Sequence, residues 1–305
     1  MRPPHRPLRR IRRSWLFLPG ADRLTLGAAA DAGADVLIQE LEDFTPPGRR
    51  PEARAMSSTV LAEWQSAGCL SAVRINPLEE CGWDDLQAVM HGNPDLIMMS
   101  KVASADQVRA LDEAMHTLEA QIGIPAGKTK MVPNVETAAG LVRTMEIATA
   151  SSRISGVLLA AEDMVADLGA ERTRASGELA YVRSRFLVEC VAAGVLAIDC
   201  PYTFADLDGA EADLRFARGL GYKAKSIVNA EQVPLVNRLL TPSEEEVDQA
   251  RRIVEHFEAA RSAGRDRIEV DGLMIEVPTY LAARRLLQRA HELAAADDRK
   301  GRNAR

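Results

Sequence analysis

Eight short runs rich in Val, Ile, Leu and Met recur along the chain, at 15–18, 36–41, 71–75, 96–99, 130–135, 156–160, 196–199 and 224–228. The stretches between them carry apolar residues at helical spacing, for example 24–32, 105–120 and 178–193. Runs this short, bounded by turn residues, read as strands buried on both faces. Strands that alternate with helices build right-handed βαβ units around a parallel sheet. Eight such units predict an α/β fold, a closed (β/α)8 TIM barrel with a C-terminal helical extension. A chain of 305 residues with 47% apolar content accommodates that barrel and an appendage.

The expected organisation is a basic arm over 1–12, a barrel over 13–263 and an extension over 264–305. Thr241-Pro242-Ser243-Glu244 is a helix start, and that helix is expected to reach about Ala263. A linker over 264–267 then leads to a hairpin around Asp271-Gly272 and a last helix. A barrel complete by Val228 has no use for this segment. Its Met274, Ile275, Val277, Leu281, Leu286 and Leu287 form an apolar face that needs a partner, so it is expected to pack on a neighbouring subunit of a homo-oligomer.

Several function classes drop out on composition. A net charge of −6 argues against nucleic acid as a partner. Cys69, Cys81, Cys190 and Cys200 form no CxxC pair, which fits a reducing, cytoplasmic setting better than a zinc knuckle or a disulfide framework. No apolar run approaches the ~20 residues needed to span a bilayer, so no membrane role is expected. The basic opening is not followed by a signal-type apolar core.

The strand ends concentrate polar chemistry on one rim, the face where active sites of such barrels are built. The first closes with Pro19-Gly20, a backbone that a ligand can approach closely. The second closes with Glu42-Asp43, the third with Arg74 and Asn76, the fourth with Lys101, the fifth with Glu136 and the sixth with Glu162-Asp163. Several acids converging without matching bases would repel unless a cation held them. With no Cys or His beside them, a hard oxygen-binding ion is expected, Mg²⁺ with Mn²⁺ as the substitute. His5, His91, His116, His256 and His291 fall at no strand end, so a histidine base is not expected.

These residues also resemble a known family. Arg13-Ser14-Trp15-Leu16-Phe17-Leu18-Pro19-Gly20 is similar to the opening motif of the citrate lyase beta subunit and malyl-CoA lyase group, within the HpcH/HpaI aldolase/citrate lyase family. Leu41-Glu42-Asp43 with Pro46-Pro47 and Ala53-Arg54 resembles its acidic second motif. Val73-Arg74-Ile75-Asn76-Pro77, Val135-Glu136-Thr137-Ala138-Ala139-Gly140 and the segment from Ala161 through Glu162, Asp163 and Asp167 to Gly169 match in the same order. The likeness runs from about Arg13 to Leu287.

The resemblance implies a Mg²⁺-dependent lyase that makes or breaks a carbon–carbon bond in a hydroxyacyl-CoA thioester such as citryl-, malyl- or citramalyl-CoA. An acyl-CoA and a 2-oxo acid would be the products. It implies Glu136 and Asp163 as metal ligands and Arg74 as a catalytic, substrate-pairing group. Glu42, Asp43 and Lys101 would support them. Pro19, Gly20, Arg50 and Arg54 would lie near the CoA arm of the substrate. It also implies a trimer or hexamer in which a C-terminal acid acts on a neighbour's site.

Two departures bear on this. The family's C-terminal motif carries an Asp where this chain has Glu276, within Gly272-Leu273-Met274-Ile275-Glu276-Val277-Pro278. Near the eighth strand the family has Ile-His-Pro, and here the residues are Ile227-Val228-Asn229. Two other readings therefore stay open: a metal-dependent aldolase acting on free 2-oxo-4-hydroxy acids, and a catalytically silent homologue.

Overall fold

A computed structural model describes residues 12–303, so the basic arm, apart from Arg12, lies outside the described residues. The eight expected strands are β1 (Ser14–Pro19), β2 (Val36–Glu40), β3 (Leu70–Ile75), β4 (Leu96–Met99), β5 (Lys130–Val135), β6 (Gly156–Leu159), β7 (Leu196–Asp199) and β8 (Ala224–Ile227). Each pairs in parallel with the next, and β8 returns to β1 with Ser14 beside Lys225, which closes the barrel. The TIM-barrel expectation is met.

Alternation along each strand sorts the side chains. Trp15, Phe17, Val36, Ile38, Ala72, Met98, Val132 and Leu158 point inward and pack as one interior cluster. Residues of the opposite parity, such as Leu16, Leu37 and Ile97, are equally buried and meet the helical layer. Helix ends return the chain to the barrel by backbone chemistry. Ser104 caps the helix Ala105–Ile122 through the Gln107 N–H, and Gly123, at φ 76°, takes the left-handed turn that ends it.

On the outer side of β7 and β8 four charged side chains are buried together. Arg183 sends its Nε and Nη2 to Asp199 at 2.9 and 2.6 Å and its Nη1 to Asp213 at 2.7 Å. Lys225 Nζ lies 2.7 Å from both Asp199 and Asp213 and donates to the Cys200 carbonyl at 2.6 Å. Two cations and two anions balance, which is what burial of charge requires.

The chain divides into two compact units after Arg238, and the helix Glu244–Ser262 falls in the second. The reason lies in what the helix Glu244–Ser262 covers. Its Ala250, Ile253 and Phe257 form a core with Val270, Ile275 and Ala283 of the C-terminal segment, and Phe257 stacks on Tyr280 at 4.9 Å. That segment is a hairpin, β9 (Ile268–Val270) and β10 (Leu273–Ile275), followed by a helix, Val277–Asn303. Asp271 and Gly272, at φ 50° and 77°, make the two-residue turn that Asp-Gly favours. Among the described residues no helix is long and apolar enough to cross a membrane.

Candidate active site

The inward parity of three strands carries on past the apolar interior to the rim and changes there from hydrocarbon to charge. On β2, Val36 and Ile38 are followed by Glu40; on β3, Ala72 by Arg74; on β5, Val132 by Asn134 and, just past the strand end, Glu136. All four polar residues are buried.

Glu40 and Arg74 are register partners on adjacent strands. One oxygen of Glu40 accepts from Arg74 Nε at 2.9 Å and from the Glu42 N–H at 2.7 Å; the other accepts from the Phe44 N–H at 2.5 Å. Glu40 thus fixes both the guanidinium and the rim loop. In the sequence alone Glu40 is masked by Glu42 and Asp43, two further acids that mark the strand end. Parity with Val36 and Ile38 was the available signal.

The rest of the Arg74 fork faces two more acids. Nη2 lies 3.1 Å from Glu42 and Nη1 lies 3.7 Å from Glu136, with the Phe17 ring 5.1 Å from the guanidinium carbon. Burial opposes the Arg74 charge, but Glu40, Glu42 and Glu136 outweigh it and hold the guanidinium above its usual range. Lys101 brings its Nζ to 2.7 Å from Glu42. Its backbone takes the left-handed φ of 54°, uncommon for a side chain of this size and the kind of strain that collects at functional sites. Glu42 is therefore clamped between two cations, although neither of its oxygens is aligned for a hydrogen bond.

Glu136 has the weakest cation contact of the three glutamates, Arg74 Nη1 at 3.7 Å. It is completely buried, and neither carboxylate oxygen has a hydrogen-bond partner among the described residues. Burial pushes its carboxyl up to about 8; Arg74 opposes the rise, and Glu42 and Asp163 add to it. Asp163, half-buried in the first turn of the helix Glu162–Leu168, is also raised by burial and by the nearby Asp43 and Glu42. Its neighbour Glu162 is engaged elsewhere, accepting from Arg172 Nε at 3.1 Å and the Thr203 hydroxyl at 2.6 Å. A buried carboxylate with no hydrogen bond and one distant cation is costly, and a hard divalent cation supplies what it lacks. The donor set therefore fits Mg²⁺. No cluster of three or more His, Cys, Asp or Glu arranged to hold a metal occurs among the described residues; one or two carboxylates, completed by water and substrate oxygens, is the usual protein share for Mg²⁺.

The other expected residues sort by what they touch. At Gly20 the protein itself makes a close approach: a Cβ there would sit 2.2 Å from the Glu40 carbonyl oxygen, so only glycine fits. The Thr45 hydroxyl bridges the two, accepting from the Gly20 N–H and donating to the Glu40 carbonyl. Pro19 is exposed beside it. Arg50 reaches Cys81 Sγ at 3.2 Å and the Glu42 carbonyl at 3.4 Å, under the rim loop. Arg54 is held by Asp85 at 2.7 Å, and the same Asp85 receives the Asn76 side-chain amide. Asp43 is exposed. Glu276 belongs to the C-terminal unit, where it pairs with Arg267 at 2.7 Å. The four described histidines are all exposed, as expected of surface residues.

With this geometry in hand, comparison with known proteins is decisive. The profile of the HpcH/HpaI aldolase/citrate lyase family matches residues 13–230. The chain belongs to that family. It is 34% identical over 283 residues to the citrate lyase subunit beta of Escherichia coli (strain K12), covering 92% of this chain and 94% of that one. It is 28% identical to the L-malyl-CoA/beta-methylmalyl-CoA lyase of Cereibacter sphaeroides, covering 96% and 98%. A solved structure of the protein CitE from Mycobacterium tuberculosis, in complex with magnesium, acetoacetate and coenzyme A, superposes with a TM-score of 0.75 at 30% identity. That match covers 93% of this chain and 99% of CitE.

Proposed function

We propose that the protein is a Mg²⁺-dependent carbon–carbon lyase that cleaves or forms a hydroxyacyl-CoA thioester, with an acyl-CoA and a 2-oxo acid as the other side of the reaction. The observation that carries this reading is Glu136, a fully buried carboxylate whose two oxygens accept no hydrogen bond among the described residues, on the rim that also holds Arg74 and Asp163. Family membership and the magnesium and coenzyme A bound to the M. tuberculosis protein support it.

Glu136 and Asp163 would hold the ion, which supplies Lewis-acid polarisation of the substrate's oxygens. Arg74, anchored through Nε by Glu40, directs its two Nη groups at Glu42 and Glu136. A guanidinium that keeps its charge and a fixed fork suits a carboxylate or the thioester oxygen, where it stabilises the negative charge that develops as the carbon–carbon bond breaks. Glu42 and Lys101 position that fork and the rim loop. Glu276 would act as base or proton donor on a neighbouring subunit's site in a homo-oligomer, and the four free cysteines fit a cytoplasmic enzyme.

The test is a panel of citryl-, malyl- and citramalyl-CoA incubated with the protein and Mg²⁺. Release of free 2-oxo acid, abolished by EDTA, is the expected result. Free CoA thiol is read in parallel. Thiol released without 2-oxo acid would mean thioester hydrolysis and would sink the lyase reading. Cleavage of free 2-oxo-4-hydroxy acids with no turnover of any CoA ester would favour the aldolase.

A further inference from the structure

Asn134 lies one inward position below Glu136 on the same strand, about 7 Å along it. Its place inside the barrel follows from Val132, two residues earlier, which packs in the interior cluster. The backbone of Asn134 is satisfied: its carbonyl accepts from the Val102 N–H at 3.0 Å, and it pairs with Leu158 of β6. The side-chain amide is not. Asn134 is fully buried, and neither Nδ2 nor Oδ1 has a partner among the described residues.

The two flanking strands supply no partner. The inward residues of the flanking strands are Met98 on β4 and Leu158 on β6, with Ala160 just beyond. Ser100, past the end of β4, gives its hydroxyl to the Ile75 carbonyl at 3.3 Å. The flanking side chains on β4 and β6 are apolar and supply no partner to the amide. Leaving an amide wholly unpaired costs on the order of 1–3 kcal/mol per group, so the open donor and acceptor point to a ligand.

We propose that Asn134 is a specificity-determining residue at the floor of the mouth, where its amide hydrogen-bonds a polar group at the far end of the 2-oxo acid half of the substrate. This rests on the lyase reading above. Below Asn134 the interior is filled by Trp15, Ile38, Leu96 and Val132, so the CoA arm can leave only through the mouth. We assign the inward direction, toward Asn134, to the substituent of the carbinol carbon opposite the thioester. An amide that both donates and accepts suits a hydroxyl or a carboxylate there. An alkyl group in the same place would strand the amide. The substrate class is therefore one whose 2-oxo acid product carries a hydrogen-bonding oxygen beyond C3, not a plain alkyl tail.

The experiment measures direct binding in the presence of Mg²⁺, by calorimetry, of 3-hydroxypyruvate and 2-oxobutanoate, which match in size and differ as hydroxyl against methyl. The wild-type protein should bind 3-hydroxypyruvate about tenfold more tightly or better, the discrimination a site built for a hydroxyl provides. Asn134→Leu, close to isosteric, should bring that ratio to one or invert it. Asn134→Ala should also abolish the preference, and it guards against a leucine that does not fold. A merely structural asparagine would alter melting temperature yet leave the ratio unmoved. An unchanged ratio in a folded variant, or equal wild-type affinities, overturns the role of Asn134 alone. Failure of wild type to bind any 2-oxo acid with Mg²⁺ overturns the lyase reading and this inference with it.

Discussion

Replacing Glu136 by Gln should stabilise the metal-free protein at alkaline pH while removing its response to Mg²⁺. The Glu136 carboxyl sits at about 8 in the folded chain against an ordinary 4.5, chiefly because burial disfavours its charge. A raised carboxyl binds its proton more tightly folded than unfolded. Its contribution is therefore intact below about pH 4.5, declines as pH rises, and is fully lost above about pH 8. At 1.36 kcal/mol per pH unit the whole span corresponds to about 5 kcal/mol, a large part of the stability of an ordinary domain. Glutamine keeps the shape and cannot ionise, and Arg74 retains Glu40 and Glu42 as partners.

The assay is urea unfolding in EDTA at half-unit steps from pH 5 to 8.5, repeated with Mg²⁺. Glu40 and Asp163 are also raised by burial and keep some slope in both proteins, so the difference between the two curves is the quantity that counts. That difference should be small at pH 5 and grow to several kcal/mol in favour of Glu136→Gln by pH 8. Added Mg²⁺ should restore wild type and leave the variant unmoved. Parallel pH curves in EDTA, or equal stabilisation of both proteins by Mg²⁺, would refute the reasoning.

Why some of this could be read from the sequence and some could not follows from particular residues. Short apolar runs such as Leu96–Met99 have only one use in a chain of alternating helices, and the barrel they imply is the one observed. The rim was legible because Arg74 and Glu136 break strand-like runs with charge at positions where a core admits none. Glu40 is hard to single out in the sequence because two further acids, Glu42 and Asp43, follow it into the loop. Asn134 was missed because an uncharged residue inside an apolar run looks like tolerated noise; its significance lies in the absence of partners, which only packing reveals. The network of Arg183, Asp199, Asp213 and Lys225 joins residues far apart in the chain, so no local pattern announces it. The helix before the hairpin is ambiguous in sequence for a related reason. The helix Glu244–Ser262 reads the same whether it covers the barrel or the C-terminal hairpin, and Phe257 and Ile253 decide for the hairpin.

Arg74→Lys keeps the charge but cannot serve Glu40 and a substrate oxygen with one fixed fork. Turnover should fall by the equivalent of about 1.5–3 kcal/mol, with normal kinetic constants as the result that would make Arg74 a rim ion pair only. Lys225→Met leaves Asp199 and Asp213 to share Arg183, and urea unfolding should show a loss of about 3–5 kcal/mol; a loss below about 1 kcal/mol would mean the network relaxes freely. Glu276 offers the remaining test, because its position in sequence and its surroundings disagree about its purpose. Within its own unit it has a partner, Arg267, in an ion pair with the Glu276 side chain 46% exposed, and such pairs contribute little to stability. Leu273 and Met274 just before it and Val277 just after it are exposed apolar residues, a poor setting for a carboxylate with no further role. If Glu276 serves a neighbouring subunit, Glu276→Ala should be inactive yet unfold at the wild-type urea midpoint. Mixing it with inactive Glu136→Gln under conditions of subunit exchange should then restore part of the activity, because some sites would combine an intact Glu136 with an intact Glu276. Exchange demonstrated by mass spectrometry with no recovery of turnover would confine Glu276 to its own chain.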